Sequence, residues 1–262
     1  MAKGSTDDEA SLLSSEETSV AGDPEVRTMV YEIAAKLSVR RPRSAGRGRS
    51  GGGPLTSLPY RGSSDEMDLD RTLESLASHP VPEDRDFVVR ERRGARSSVV
   101  LLVDVSGSMR GERMRTAAAT VAALARELVD HRLAVLAFWS DAAWIQRLNE
   151  RSAPFALLDA LLALPTKGLT NLSFPLAEAR RELSTAPARG SRVLLLSDCV
   201  HNAGPDPRRF AAGLTRLDVL LDSSGECDPQ LGAELARLGH GRMQRARTHR
   251  DVGPALSSLL NR

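Results

Sequence analysis

The chain has 262 residues, enough for one large domain or for a domain with an extension. Its apolar content of 41% supports a sizeable core, but 3% aromatics leave that core to Leu, Val and Ala. A formal net charge of +2 excludes a globally basic nucleic-acid binder, and no apolar run reaches the roughly 20 residues of a membrane helix.

Residues 1–24 are rich in Ser, Asp and Glu and carry no signal-peptide core, so they are expected to be disordered. Over residues 25–39, Val26, Met29, Val30, Ile33 and Leu37 follow helical spacing behind Asp23-Pro24, which predicts a helix. That helix either docks a partner or packs on its own domain. Residues 40–66 read as a Gly/Arg-rich linker. Five arginines between Arg40 and Arg49 could touch phosphates, but only Tyr60 is available for base stacking, which argues for a solvated tether over nucleic-acid binding. Residues 67–96 form the lead-in: a short helix with Leu69, Leu73 and Leu76 on one face, then an extended Phe87-Val88-Val89. Cys199 and Cys227 have no metal spacing and indicate no disulfide framework. These features together point to a cytoplasmic protein.

The chain is organised around Ser98 to Arg113. Val99 to Val103 is an apolar run with no polar alternation, as suits a central parallel strand covered on both faces. It ends in Asp104-Val105-Ser106-Gly107-Ser108, three oxygen side chains at alternate positions around a tightening glycine. A carboxylate and two hydroxyls are hard ligands, suited to Mg²⁺ or Ca²⁺ rather than zinc. An amphipathic helix follows over 111–128. Strands are predicted at 132–140, 142–146, 191–197, 216–221 and 241–244, and helices at 154–164, 172–183, 229–238 and 251–260. Strands alternating with helices imply an α/β fold with a doubly wound, mostly parallel sheet. In such a sheet ligands sit at the carboxyl ends of the strands, where strand order reverses. Asp104, Thr170 and Asp198 all follow strands or open helices, so this fold brings them to one edge.

Asp104-x-Ser106-x-Ser108 after a buried strand, Thr170 in the loop Leu164-Pro165-Thr166-Lys167-Gly168-Leu169-Thr170-Asn171-Leu172, and Asp198 closing a second apolar run appear in the order of the metal-ion-dependent adhesion site (MIDAS). Over residues 97–262 the chain resembles von Willebrand factor A (VWA) domains. The resemblance implies a Rossmann-like fold and a divalent ion, Mg²⁺ or else Mn²⁺ or Ca²⁺. It implies that Ser106 and Ser108 coordinate directly, Thr170 directly or through water, and Asp104 and Asp198 through water. The threonine loop is similar to that of magnesium-chelatase D-type subunits, and the stretch DLDRTLESLASHPVPEDRDFVVRERR to the lead-in of those proteins and of CoxE-like proteins. Such proteins work beside AAA+ ATPases of the chelatase and MoxR type. About ninety residues precede the VWA region, too few for an additional AAA-like domain, so an accessory protein is favoured over a chelatase D-like subunit.

Enzyme readings are weaker. Asp104 is placed like the nucleophile of haloacid-dehalogenase-like phosphatases, with Lys167 and Asp198 as later motifs. The general-acid aspartate two positions on is Ser106 here. A serine-hydrolase reading would pair Ser106 or Ser108 with His201, but nucleophile-elbow flanks are missing. No GxxxxGK[ST] loop is present. The expectation is a non-enzymatic, metal-dependent protein-interaction module. Trp139 and Trp144 are expected to pack, and Asp141 to serve as a turn residue.

Overall fold

The computed structural model describes residues 10–13, 28, 55–60, 66–79, 83–92, 97–106, 112–128, 131–164, 168–187 and 190–260. The chain divides into two compact units, one made of Met1–Val39 with Ser97–Arg262, the other of Arg40–Arg96.

The larger unit is a seven-stranded sheet. Its strands are β1 (Leu12–Leu13), β4 (Ser98–Asp104), β5 (Arg132–Phe138), β6 (Ala142–Gln146), β7 (Arg192–Ser197), β8 (Leu217–Asp222) and β9 (Met243–Ala246), while β2 and β3 belong to the smaller unit. The spatial order is β1-β6-β5-β4-β7-β8-β9, with every described pairing parallel except β5 with β6. The helices are α2 (Glu112–Glu127), α3 (Pro154–Leu162), α4 (Ser173–Ser184), the single-turn α5 (Arg208–Ala211), α6 (Pro229–Leu238) and α7 (Val252–Leu260). The expected doubly wound, mostly parallel sheet is therefore the observed one.

All seven residues of β4 are buried, because helices cover both faces, and its polar side chains stand only at the two ends, Ser98 and Asp104. Val99, Leu101 and Val103 pack with Ala117, Val121 and Leu124 of α2, Leu158 of α3 and Leu256 of α7. Val100 and Leu102 pack with Leu176 of α4 and Leu231 and Leu235 of α6. Each buried leucine of this kind contributes roughly 1.5–3 kcal/mol of transfer free energy. From β4 the chain moves outward to β5 and β6, then returns across β4 to start β7 on its other side. Strand order thus reverses between β4 and β7, and the carboxyl ends of these two strands carry Asp104 and Asp198.

The smaller unit pairs β2 (Leu55–Pro59) antiparallel with β3 (Val88–Arg92) and sets α1 (Leu69–Ser78) beside them. Asp68 organises it. The buried Asp68 carboxylate accepts from the Ser57 hydroxyl at 2.5 Å and the Arg71 amide at 3.4 Å, and pairs with Arg90 at 3.2 Å.

Two expectations need correction. Of residues 1–24, expected to be disordered, Ala10–Leu13 are described, and Leu12–Leu13 form an edge strand on β6. Residues 55–59, assigned to the linker, form β2, paired antiparallel over five positions with Val88–Arg92. On α1, Leu69 and Leu73 are exposed, and Thr72 is the buried residue, its hydroxyl donating to Val88 O and accepting from Val88 N. The predicted 25–39 helix and the arginine run lie outside the described residues apart from Thr28, which is helical.

Candidate metal centre

Asp104, Ser106, Thr170 and Asp198 are all buried at the carboxyl edge of the larger unit's sheet, with exposures of 1 to 6%. Ser108 lies outside the described residues. Each of the four is placed by a strand end or by the loop beside it.

Asp104 is the last residue of β4 and pairs with Phe138 of β5. Its Oδ1 accepts the Ser106 amide at 3.0 Å, an Asx turn that lifts the chain off the strand. Its Oδ2 accepts the Ser197 hydroxyl at 2.6 Å. Burial pushes the Asp104 carboxyl up to about 6, opposed by hydrogen bonds from Ser197 and Ser106 and reinforced by the nearby Asp198.

Asp198 follows β7. Its Oδ1 accepts the Val200 amide at 3.0 Å, and its Oδ2 faces the Arg113 guanidinium at 2.5 Å. Arg113, buried at the start of α2, also donates to Glu226 O at 2.7 Å in the loop after β8. That loop passes close: a Cβ on Gly225 would lie 2.9 Å from Arg113 Nη2. The next residue, Cys199, holds φ at 62° and donates its amide to the Ser197 hydroxyl at 2.9 Å, so the Ser197 side chain ties Asp104 to the turn after β7. Burial pushes the Cys199 thiol up, out of the range of a thiolate ligand.

Thr170 is positioned by its backbone. Its amide donates to Asn202 Oδ1 at 2.7 Å, and its carbonyl accepts from the amides of Asn202 and Ala203. The Asn171 amide donates to Trp139 O at 2.9 Å, and Asn171 Oδ1 accepts the first amides of α4, those of Ser173 and Phe174. Gly168 turns the loop at φ +88°, where an added Cβ would meet the Ser140 hydroxyl at 3.1 Å. With its backbone fully engaged, the Thr170 hydroxyl has no hydrogen-bond partner among the described residues.

Among the described residues His201 pairs with no serine. Its Nδ1 accepts the Leu172 amide at 3.3 Å, which assigns the proton to Nε2, donating to Pro205 O at 3.0 Å. Burial lowers its pKa and keeps it neutral. Trp139 is buried and Trp144 half-buried with Arg147 over its ring, so both pack as expected.

Among the described residues no three His, Cys, Asp or Glu gather as a metal-holding group. A cation at this edge therefore relies on hydroxyls beside a few carboxylates, a hard donor set fitting Mg²⁺, Mn²⁺ or Ca²⁺. The Thr170 hydroxyl, without a hydrogen-bond partner among the described residues, and the buried Asp104 carboxylate suit such an ion.

Sequence reasoning missed Arg113, Ser197 and Asn202. Arg113 was detectable: it stands four residues before Ala117 and eight before Val121, on the face that α2 buries. Ser197 reads only as a strand end, and Asn202 has no signal of its own.

Comparison with known proteins places this geometry. The profile of VWA domain containing CoxE-like proteins matches residues 56–229. No curated protein matches the chain. A von Willebrand factor type A structure from Catenulispora acidiphila is 20% identical, covering 66% of this chain and 44% of its own, with a TM-score of 0.53. An aerotolerance-related membrane protein from Bacteroides fragilis is 15% identical, covering 64% of this chain and 99% of its own, at 0.51. Proximal thread matrix protein 1 from the mussel byssus, with a zinc-occupied MIDAS motif, is 15% identical, covering 63% of this chain and 47% of its own, at 0.50. At these identities the likeness shows the fold.

Proposed function

The chain belongs to the VWA domain containing CoxE-like proteins, and from that premise we propose that it is a non-enzymatic, metal-dependent protein-interaction module. Ser106, Ser108 and Thr170 hold one divalent ion, Mg²⁺ or Mn²⁺, with Asp104 and Asp198 acting mainly through water. When bound, the ion offers an open, electron-poor position that a carboxylate from a partner can occupy as a strong ligand. The observation that carries this reading is the convergence of Asp104 and Asp198 on the strand-order reversal, with Thr170, whose hydroxyl has no hydrogen-bond partner among the described residues, in the adjacent loop. Leu169, 45% exposed next to Thr170, gives an approaching partner an apolar foothold.

The partner is a protein with an acidic contact residue. We assign it to the MoxR-type AAA+ ATPases on the likeness of the lead-in and threonine loop to chelatase and CoxE-like sequences, and place the pair in the cytoplasm. Among the described residues no helix is long and apolar enough to cross a membrane. Phosphatase chemistry is disfavoured because Ser106 stands where the acid would be and its amide is spent on Asp104.

Titration calorimetry with Mg²⁺ and Mn²⁺ tests the site: wild type binds one ion and Asp104→Ala does not. Equal affinity in the two removes the assignment. Capture from native cells with and without EDTA tests the partner: an AAA+ ATPase is recovered with Mg²⁺, lost in EDTA, and lost in Thr170→Ala. Its recovery in EDTA takes the metal out of recognition.

A further inference from the structure

β1 lies more than ninety residues upstream of the metal-binding stretch, yet it docks at the same edge of the sheet. β6 runs antiparallel to β5, so it begins at the carboxyl end, where Ala142 pairs with Phe138 and Phe138 pairs with Asp104. β1 runs parallel to β6 in the register Leu12 with Ala142 and Leu13 with Ala143, and so enters the sheet from that end.

Besides pairing with Ala142 and Ala143 of β6, this segment bonds to the β5–β6 turn. Ala142 N donates to Ser11 O at 3.2 Å. The Ser11 amide and hydroxyl both donate to Asp141 Oδ1, at 2.9 and 3.2 Å. Asp141 Oδ2 accepts the Ser140 hydroxyl at 3.3 Å, and Asp141 O accepts the Trp139 amide at 2.8 Å. The far side of this turn meets the threonine loop: Trp139 O accepts the Asn171 amide at 2.9 Å, and Gly168 turns directly against Ser140. Thr170 is thus flanked on both sides by residues seated on the turn that β1 clasps. Among the described residues the side-chain acceptor that Ser11 uses is Asp141, the residue that shapes the turn.

We propose that Ala10–Leu13 is a positioning element of the metal-binding edge: by holding Asp141 it fixes the Trp139–Asp141 turn and, through Asn171, the orientation of Thr170. The affinity part rests on the metal reading above; the loop-ordering part stands without it.

The test uses the full chain carrying Ser11→Pro, which removes both donors to Asp141, or Asp141→Ala, which removes the acceptor. Asp141→Asn, which keeps Oδ1, is the conservative comparison. Two readouts are followed: hydrogen exchange at the amides of Ala142 and Asn171, and Mn²⁺ affinity by calorimetry. Ser11→Pro and Asp141→Ala should accelerate exchange at both amides and weaken Mn²⁺ binding about tenfold, the low end of what groups supporting a metal ligand contribute. Asp141→Asn should stay near wild type in both. Faster exchange at Ala142 with Asn171 and Mn²⁺ affinity unchanged would overturn the proposal and leave β1 as an edge cover. If wild type binds no Mn²⁺, the metal reading fails, and exchange at Asn171 alone decides whether β1 orders the loop.

Discussion

Arg113 sets a permanent cation against Asp198, with both side chains less than 10% exposed. A buried carboxylate needs that partner, yet the pairing also withholds part of its charge from any ion at the edge, which favours contact through water. Removing one member of a buried pair costs about 3–5 kcal/mol, here moderated by the Val200 amide that Asp198 also accepts. Arg113→Ala should therefore lower the unfolding free energy of the metal-free chain by about 3 kcal/mol, read from the urea midpoint at unchanged slope. Arg113→Lys should recover only part of it, because a single ammonium cannot reproduce the paired contacts to Asp198 and Glu226 O. An unchanged midpoint in Arg113→Ala would show that Asp198 is solvated without it. At this scale the strand-end positions of Asp104 and Asp198 were readable in sequence because each closes an apolar run. Ser197 and Asn202 were not, since their roles arise from strand neighbours remote in the chain.

Among the elements, the smaller unit shows where local patterning misleads. Leu69, Leu73 and Leu76 predict a helix correctly, but the burial of Thr72 depends on its two hydrogen bonds to Val88, a partner no helical wheel contains. β2 was read as linker because Pro54, Pro59 and the preceding glycines dominate its composition, whereas its five pairs with β3 are non-local. Asp68 gives this unit a pH signature. The Ser57 hydroxyl, then Arg90 and the Arg71 amide, hold its carboxyl below the usual value of 3.8. A folded pKa below the unfolded one adds stability that is present above 3.8 and is lost as pH falls through the folded value. Thermal melting followed on the amide signals of Ser57, Val88 and Arg90 should accordingly fall on acidification below 3.8, and Asp68→Asn should lack that part of the fall. Equal acid sensitivity in the two chains would assign the effect to other carboxylates. The opposite edge of the large sheet carries a different device. The buried Asp218 is bracketed by Arg216 at 2.8 Å and Arg192 at 3.6 Å, and those two arginines with Arg242 all donate to Leu259 O. These bonds satisfy a carbonyl in the last turn of α7 and anchor that helix to the starts of β7, β8 and β9.

For the molecule as a whole, architecture was legible where burial is two-sided. Continuous apolar runs such as Val193–Leu196 can only be central strands, and their alternation with helices leaves few topologies. A two-residue strand such as β1 has no such signature, since its pairing is decided by the edge that receives it. The two-unit division makes a last prediction possible. An ion that binds only the folded larger unit stabilises that unit by RT ln(1 + [L]/Kd), about 2.7 kcal/mol at one hundred times Kd. For a unit of this size that corresponds to a rise of about 5–10 °C in its melting temperature. Mn²⁺ should therefore raise the transition reported by hydrogen exchange in β4, β5 and β7, and EDTA should reverse it. The β2–β3 amides, which lie in the other unit, should melt at the same temperature with or without the ion. Asp104→Ala should abolish the shift in β4 while leaving the smaller unit untouched. A shift of equal size in both units would mean that they unfold as one cooperative body and that the ion's stabilisation spreads across the whole chain.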